Sequence, residues 1–163
     1  MVLPSSRIVL AFALYTASLV GPAAQARIGE SVNALVGRFG EPRHVSSEPA
    51  SLGTVYQFVS DNWLVEAVVI GGRCEKITYR QPGNWSEGHY ERLLAGNAAD
   101  SPWEEIPSSA EPRVLRTWIR RDGATCAWMR MTGLVITTAA YREAEAKTIA
   151  RSAPAKAKPS SGS

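Results

Sequence analysis

The 163-residue chain carries 18 Lys+Arg against 15 Asp+Glu, a net charge of +3, and is 45% hydrophobic and 20% charged. That balance excludes a disordered polyelectrolyte and supplies enough apolar residues for one domain with a core. Residues 27–141 hold 12 Lys+Arg and 13 Asp+Glu, so the positive excess belongs to the ends, and net charge gives no basic stripe for nucleic acid.

The first element reads as an export signal over residues 1–26. Arg7 is the only charge in its opening run, and the thirteen residues Ile8 to Val20 are apolar except for Thr16 and Ser18. Gly21-Pro22 then breaks any helix, and Ala24-Gln25-Ala26 offers small residues where a signal peptidase cuts. An apolar helix of that length spans roughly 20 Å, short of the ~30 Å hydrocarbon core, so cleavage before Arg27 is expected rather than a membrane span. The expected location is periplasmic or extracellular.

The mature part is expected to form a single α+β domain over residues 27–141. Val32, Leu35, Val36 and Phe39 recur at helical spacing, which predicts a helix over 32–39 with Ser31 as its N-cap; Gly40 and Pro42 end it. A meander follows, with strands over 54–59, 63–70 and 73–80. Gly71-Gly72 is its two-residue hairpin turn. A second helix is predicted over 85–95, where Asn84 and Glu87 resemble a capping box. A proline-rich loop leads to three more strands, about 114–120, 124–131 and 134–140, with Asp122-Gly123 and Thr132-Gly133 at their turns. Short helices packed on an antiparallel sheet are therefore expected. The order αβββ occurs twice, suggesting a tandem repeat with halves 30–80 and 84–141. Residues 142–163 are expected to form a basic tail with Arg142, Lys147, Arg151, Lys156 and Lys158; Tyr141 to about Arg151 is a candidate helix, and 152–163 should be disordered. The tail could touch anionic envelope polymers.

Several stretches of the first half carry a resemblance. They are Ser31-Val32, Leu35-Val36, Phe39-Gly40-Glu41-Pro42, and the glycine turn leading into Cys74-Glu75-Lys76-Ile77-Thr78-Tyr79. Over about 28–80 this resembles the SmpA/OmlA-type outer-membrane assembly domain and the tandem-repeat β-lactamase-inhibitor-protein fold. The resemblance implies short helices against an antiparallel sheet and a role in binding other proteins. SmpA/OmlA proteins are usually lipoproteins, and this chain lacks the lipid-accepting cysteine.

Candidate sites are few. Cys74 and Cys126 are the only cysteines, and in an oxidising compartment one disulfide is expected, with two separate buried thiols as the alternative. Two histidines, these cysteines and dispersed acids give no zinc-ligand spacing, and no glycine-rich phosphate motif or other cofactor signal occurs. His89 lies three residues after Ser86 and His44 follows Pro42-Arg43, but no nucleophile elbow surrounds Ser86. A small exported hydrolase using His89 or His44 is therefore the secondary reading. The leading one is a non-enzymatic binding or structural module whose partner is another exported or envelope protein. A two-residue turn at Asp122-Gly123 pairs Ile119 with Cys126 and Trp118 with Ala127. Leu115, Thr117, Ile119, Cys126 and Trp128 then read as core, leaving Arg116, Trp118 and Arg120 as the candidate contact surface, with an ordinary sheet face, solvated or covered by a helix, as the alternative.

Overall fold

The computed structural model describes residues 27–47, 52–60, 62–83, 85–107 and 113–152. The predicted signal, Asn84 of the capping pair and residues 153–163 of the tail lie outside them.

Helix α1 spans Val32–Phe39, and the Ser31 hydroxyl accepts from the Ala34 amide as expected of its cap. Strands β1 (His44–Ser47), β2 (Thr54–Ser60), β3 (Trp63–Ile70) and β4 (Arg73–Arg80) follow, then α2 (Glu87–Gly96). Strands β5 (Trp103–Ile106), β6 (Val114–Arg120), β7 (Thr125–Arg130) and β8 (Gly133–Thr138) lead into α3 (Ala139–Ser152). Ser86 precedes α2 without a side-chain capping bond.

The strands form one eight-stranded antiparallel sheet in the order β1-β2-β3-β4-β8-β7-β6-β5. Its two edges, β1 and β5, are four-residue strands that hydropathy patterning did not resolve. Gly71 and Gly72 take positive φ values of 57° and 81°, the backbone a tight hairpin turn demands. The predicted pairings Val69↔Cys74, Ile119↔Cys126 and Trp118↔Ala127 are all present.

One face of the sheet holds the core. Leu35 of α1 and Tyr90, Leu93 and Leu94 of α2 join Phe58, Val65, Ile77, Tyr79, Leu134 and Ile136 in one buried cluster. Asn97 ties this layer together from the end of α2. Its carboxamide oxygen accepts from the Ile28 amide at 2.9 Å, and its nitrogen donates to the Leu93 carbonyl at 2.9 Å.

Two sequence expectations are corrected here. Trp118, Ala127 and Met129 belong to the core, whereas Leu115 is 57% exposed and Cys126 and Trp128 are only half-buried. The faces of β6 and β7 are thus the reverse of those expected. The Arg116–Trp118–Arg120 stripe lies under α2 rather than on an open surface, with Trp118 packed 5.5 Å from the Tyr90 ring. The disulfide is the second correction. Cys74 and Cys126 are both free thiols. Cys74 is in the core on β4; Cys126 is on the opposite face of β7, with β8 between the two strands. Two strand spacings put their backbones about 10 Å apart, too far to bridge even before the faces are considered.

Candidate functional site

The second face of the sheet is only partly covered. Pairing across β3, β4, β8 and β7 lays its side chains out in rungs. The central rung is Glu66–Thr78–Val135–Trp128. The rung on one side is Val68–Lys76–Thr137–Cys126. On the other side Gly133 pairs with Arg130, and a Cβ built on Gly133 would stand 3.3 Å from Cγ of Arg80. Successive rungs are about 6.6 Å apart along the strands.

Helix α3 crosses one end of this face. Tyr141 is buried, and Nζ of Lys76 donates to its hydroxyl at 3.3 Å while lying 5.0 Å from its ring centroid. Arg142 donates to the Thr137 carbonyl at 3.2 Å. The residues taken from sequence as the start of a tail, Arg142 and Glu145 among them, therefore form a wall of the site. Between α3 and the rungs runs a groove of about 490 Å³. It runs from Gly133 to Tyr141 and Arg142 of the helix.

The groove carries four cations, Lys76, Arg80, Arg130 and Arg142, against two carboxylates, Glu66 and Glu145. Arg80 is exposed, and its side chain makes no hydrogen bond or ion pair with another described residue. Thr137 lines the groove while only 3% exposed, and its hydroxyl oxygen has no hydrogen-bond partner among the described residues. Gly133 matters for shape: its φ is 154°, and a Cβ there would meet the Tyr79 carbonyl oxygen at 2.1 Å. The floor between the two arginines is consequently bare backbone.

The residues singled out from sequence lie elsewhere. Arg116 is held by Glu105, with Nε 2.8 Å from Oε1, and this carboxylate partner raises its already high pKa. Arg120 pairs with Asp122 at 2.7 Å. His44 sits exposed on edge strand β1. His89 Nδ1 is 3.1 Å from the Gln81 side-chain nitrogen, and its ring stands edge-on to Trp63 at 6.0 Å. Neither histidine lines the groove. No group of three or more His, Cys, Asp or Glu side chains suited to a metal occurs among the described residues. The signal that could have found the groove was the alternation Lys76, Thr78, Arg80 on β4 beside Trp128 and Arg130 on β7.

No helix among the described residues is long and apolar enough to cross a membrane. No protein-family model and no curated protein matches the chain. Among solved structures it is similar to a cysteine-rich secretory protein from Staphylococcus aureus subsp. aureus Mu50, at 11% identity and a TM-score of 0.45. That likeness covers 69% of this chain and 44% of the other, so the chain spans less than half of that protein's length.

Proposed function

We propose that this protein is an exported, non-catalytic binding module that holds a partner protein on the open face of its sheet. The groove carries the reading. It combines an indole, a net positive charge, and an arginine side chain and a buried threonine hydroxyl that have no partner among the described residues, on a strand scaffold. Arginine and tryptophan are the side chains that dominate protein contact energies, and strands hold them in fixed register. Export is supported by the charged, apolar and small-residue order of residues 1–26. The order of one helix and four strands also occurs twice, α1–β4 and α2–β8, which favours two related halves meeting at the β4–β8 pair.

The test is photocrosslinking in the producing cells, with benzoylphenylalanine in place of Trp128 or, on the helical side, of exposed Glu91. A discrete protein adduct from position 128 in the exported fraction, absent from position 91, is expected. Equal adducts from both positions, or none from 128, would defeat the reading. Retention of residues 1–26 on a chain that stays inside the cell would defeat its export part.

A further inference from the structure

We infer that the Gly133 end of the groove is a seat for a carboxylate from an extended acidic segment of a partner protein, held by Arg80 and Arg130. The inference rests on the binding role proposed for this face and names what the face selects.

Three strands place the two arginines. Arg80 ends β4 and Arg130 ends β7, with Gly133 of β8 between them. Two strand spacings of about 4.8 Å separate the outer backbones, and both arginine side chains line the groove on either side of Gly133. A Cβ at position 133 would meet the Tyr79 carbonyl oxygen at 2.1 Å and Cγ of Arg80 at 3.3 Å, so only glycine fits between the strands. Carboxylate and phosphate oxygens both match the guanidinium fork.

The neighbouring rungs choose between them. Glu66 stands in the rung next to the arginine pair, and Glu145 of α3 lines the same groove. A uniformly charged polymer of phosphate or sugar acid would meet these carboxylates one step beyond the seat. A peptide need not, because its charge can stop at one residue. From the Gly133 rung to the Thr137 rung is about 13 Å, the length of roughly four extended residues. An acidic side chain at the seat would be followed by an apolar one against Val135 and Trp128. The chain would then run toward Lys76 beneath α3.

The experiment pans a phage-displayed library of random seven-residue peptides against the immobilised full chain. Binding of the enriched peptides is then measured by fluorescence anisotropy. Enriched sequences are expected to hold Asp or Glu beside an apolar residue. Arg80→Ser and Arg130→Ser should each loosen binding about tenfold, and Arg80→Lys/Arg130→Lys should fall between. Replacing the peptide acid by its amide should abolish the difference between wild type and variants. Circular dichroism checks folding, and Arg80→Ser alone decides the matter if the Arg130 variant unfolds, since the Arg80 side chain has no described partner to lose. Failure to enrich any peptide, enrichment without acids, or acidic peptides indifferent to Arg80→Ser would overturn the seat. Polyphosphate binding more tightly than the peptides would overturn it as well. Acid-free peptides that still crosslink from position 128 would remove the seat and leave the binding face standing. Enriched peptides that crosslink nowhere on the face would remove both.

Discussion

The guanidinium carbon of Arg116 lies 5.1 Å from the ring of Trp118, two residues along the same strand, and 5.0 Å from the ring of Tyr90 on α2. The arginine closes the gap between helix and sheet with its flat cation, and Glu105 on the neighbouring strand fixes the other edge of the fork. Arg116→Ala should cost about 1 kcal/mol through the lost ring contacts, lowering the Tm by about 3–6 °C. Arg116→Lys should recover little, because an ammonium cannot engage both oxygens of Glu105 while lying on the rings. Thermal unfolding followed by circular dichroism checks both; full recovery by lysine would show that the fork is unimportant.

Burial pushes the Cys74 thiol up to about 12, with the Glu30 and Glu75 carboxylates adding to the effect. Burial also raises the Tyr79 hydroxyl. A folded-state value above that of the unfolded chain means the fold holds the proton more tightly. The associated stability is complete below the ordinary thiol pKa of about 8.5 and is lost as pH rises toward 12. The urea midpoint should therefore fall between about pH 8.5 and 12, and less steeply in Cys74→Ala. An unchanged slope in that variant would remove Cys74 as a cause.

The same two thiols make a simpler prediction. With Cys74 buried and Cys126 half-buried on the other face, native protein should react with a maleimide at Cys126 first. Both should react once guanidinium is added without reductant. A single bridged species by non-reducing mass spectrometry would contradict the arrangement of the sheet.

Asn97→Ala removes the acceptor of the Ile28 amide and the donor to Leu93 at a position only 3% exposed. Leaving these backbone groups unmet should cost about 2–3 kcal/mol, against less than about 0.5 for exposed Asp100→Ala. Urea titration of the two variants separates a structural asparagine from a decorative one.

Gly133→Ala forces a Cβ onto the Tyr79 carbonyl at a backbone angle that disfavours side chains. A loss of about 3 kcal/mol or more is expected, read as a lower urea midpoint or as insoluble protein. Wild-type stability in this variant would mean that the β4–β8 junction differs from the one described.

Hairpin registers were legible because the chemistry of Gly71-Gly72 and Asp122-Gly123 is local: Val69↔Cys74 and Trp118↔Ala127 follow from counting outward from each turn. The choice of face was not local. On β6 and β7 both alternating sets contain a tryptophan and apolar residues, so period two alone could not say which set α2 would cover. The two arginines argued for solvent, yet an arginine can lay its stem and cation over a buried ring while its nitrogens reach a surface carboxylate, as Arg116 does with Glu105. That reversal moved Cys126 off the core and with it the expected bridge. The groove was illegible for another reason. It depends on β4 lying beside β8, and no turn joins those strands.

That junction also bears on how the chain folds. Every other neighbouring pair in the sheet is consecutive in sequence, so each four-strand meander can zip from its own turns in microseconds. Joining β4 to β8 requires closure across α2, β5, β6 and β7, and that entropy falls due before Ile77 and Ile136 gain their contact. The rate-limiting barrier should therefore lie at the seam. Trimming Ile136 to Val should slow refolding, whereas trimming Phe58, within the first meander, should chiefly hasten unfolding. Stopped-flow chevrons with the opposite pattern would place the barrier inside a meander. Until the seam closes, the arginines of β4 and β7 belong to separate pieces, so the groove is among the last features the protein acquires.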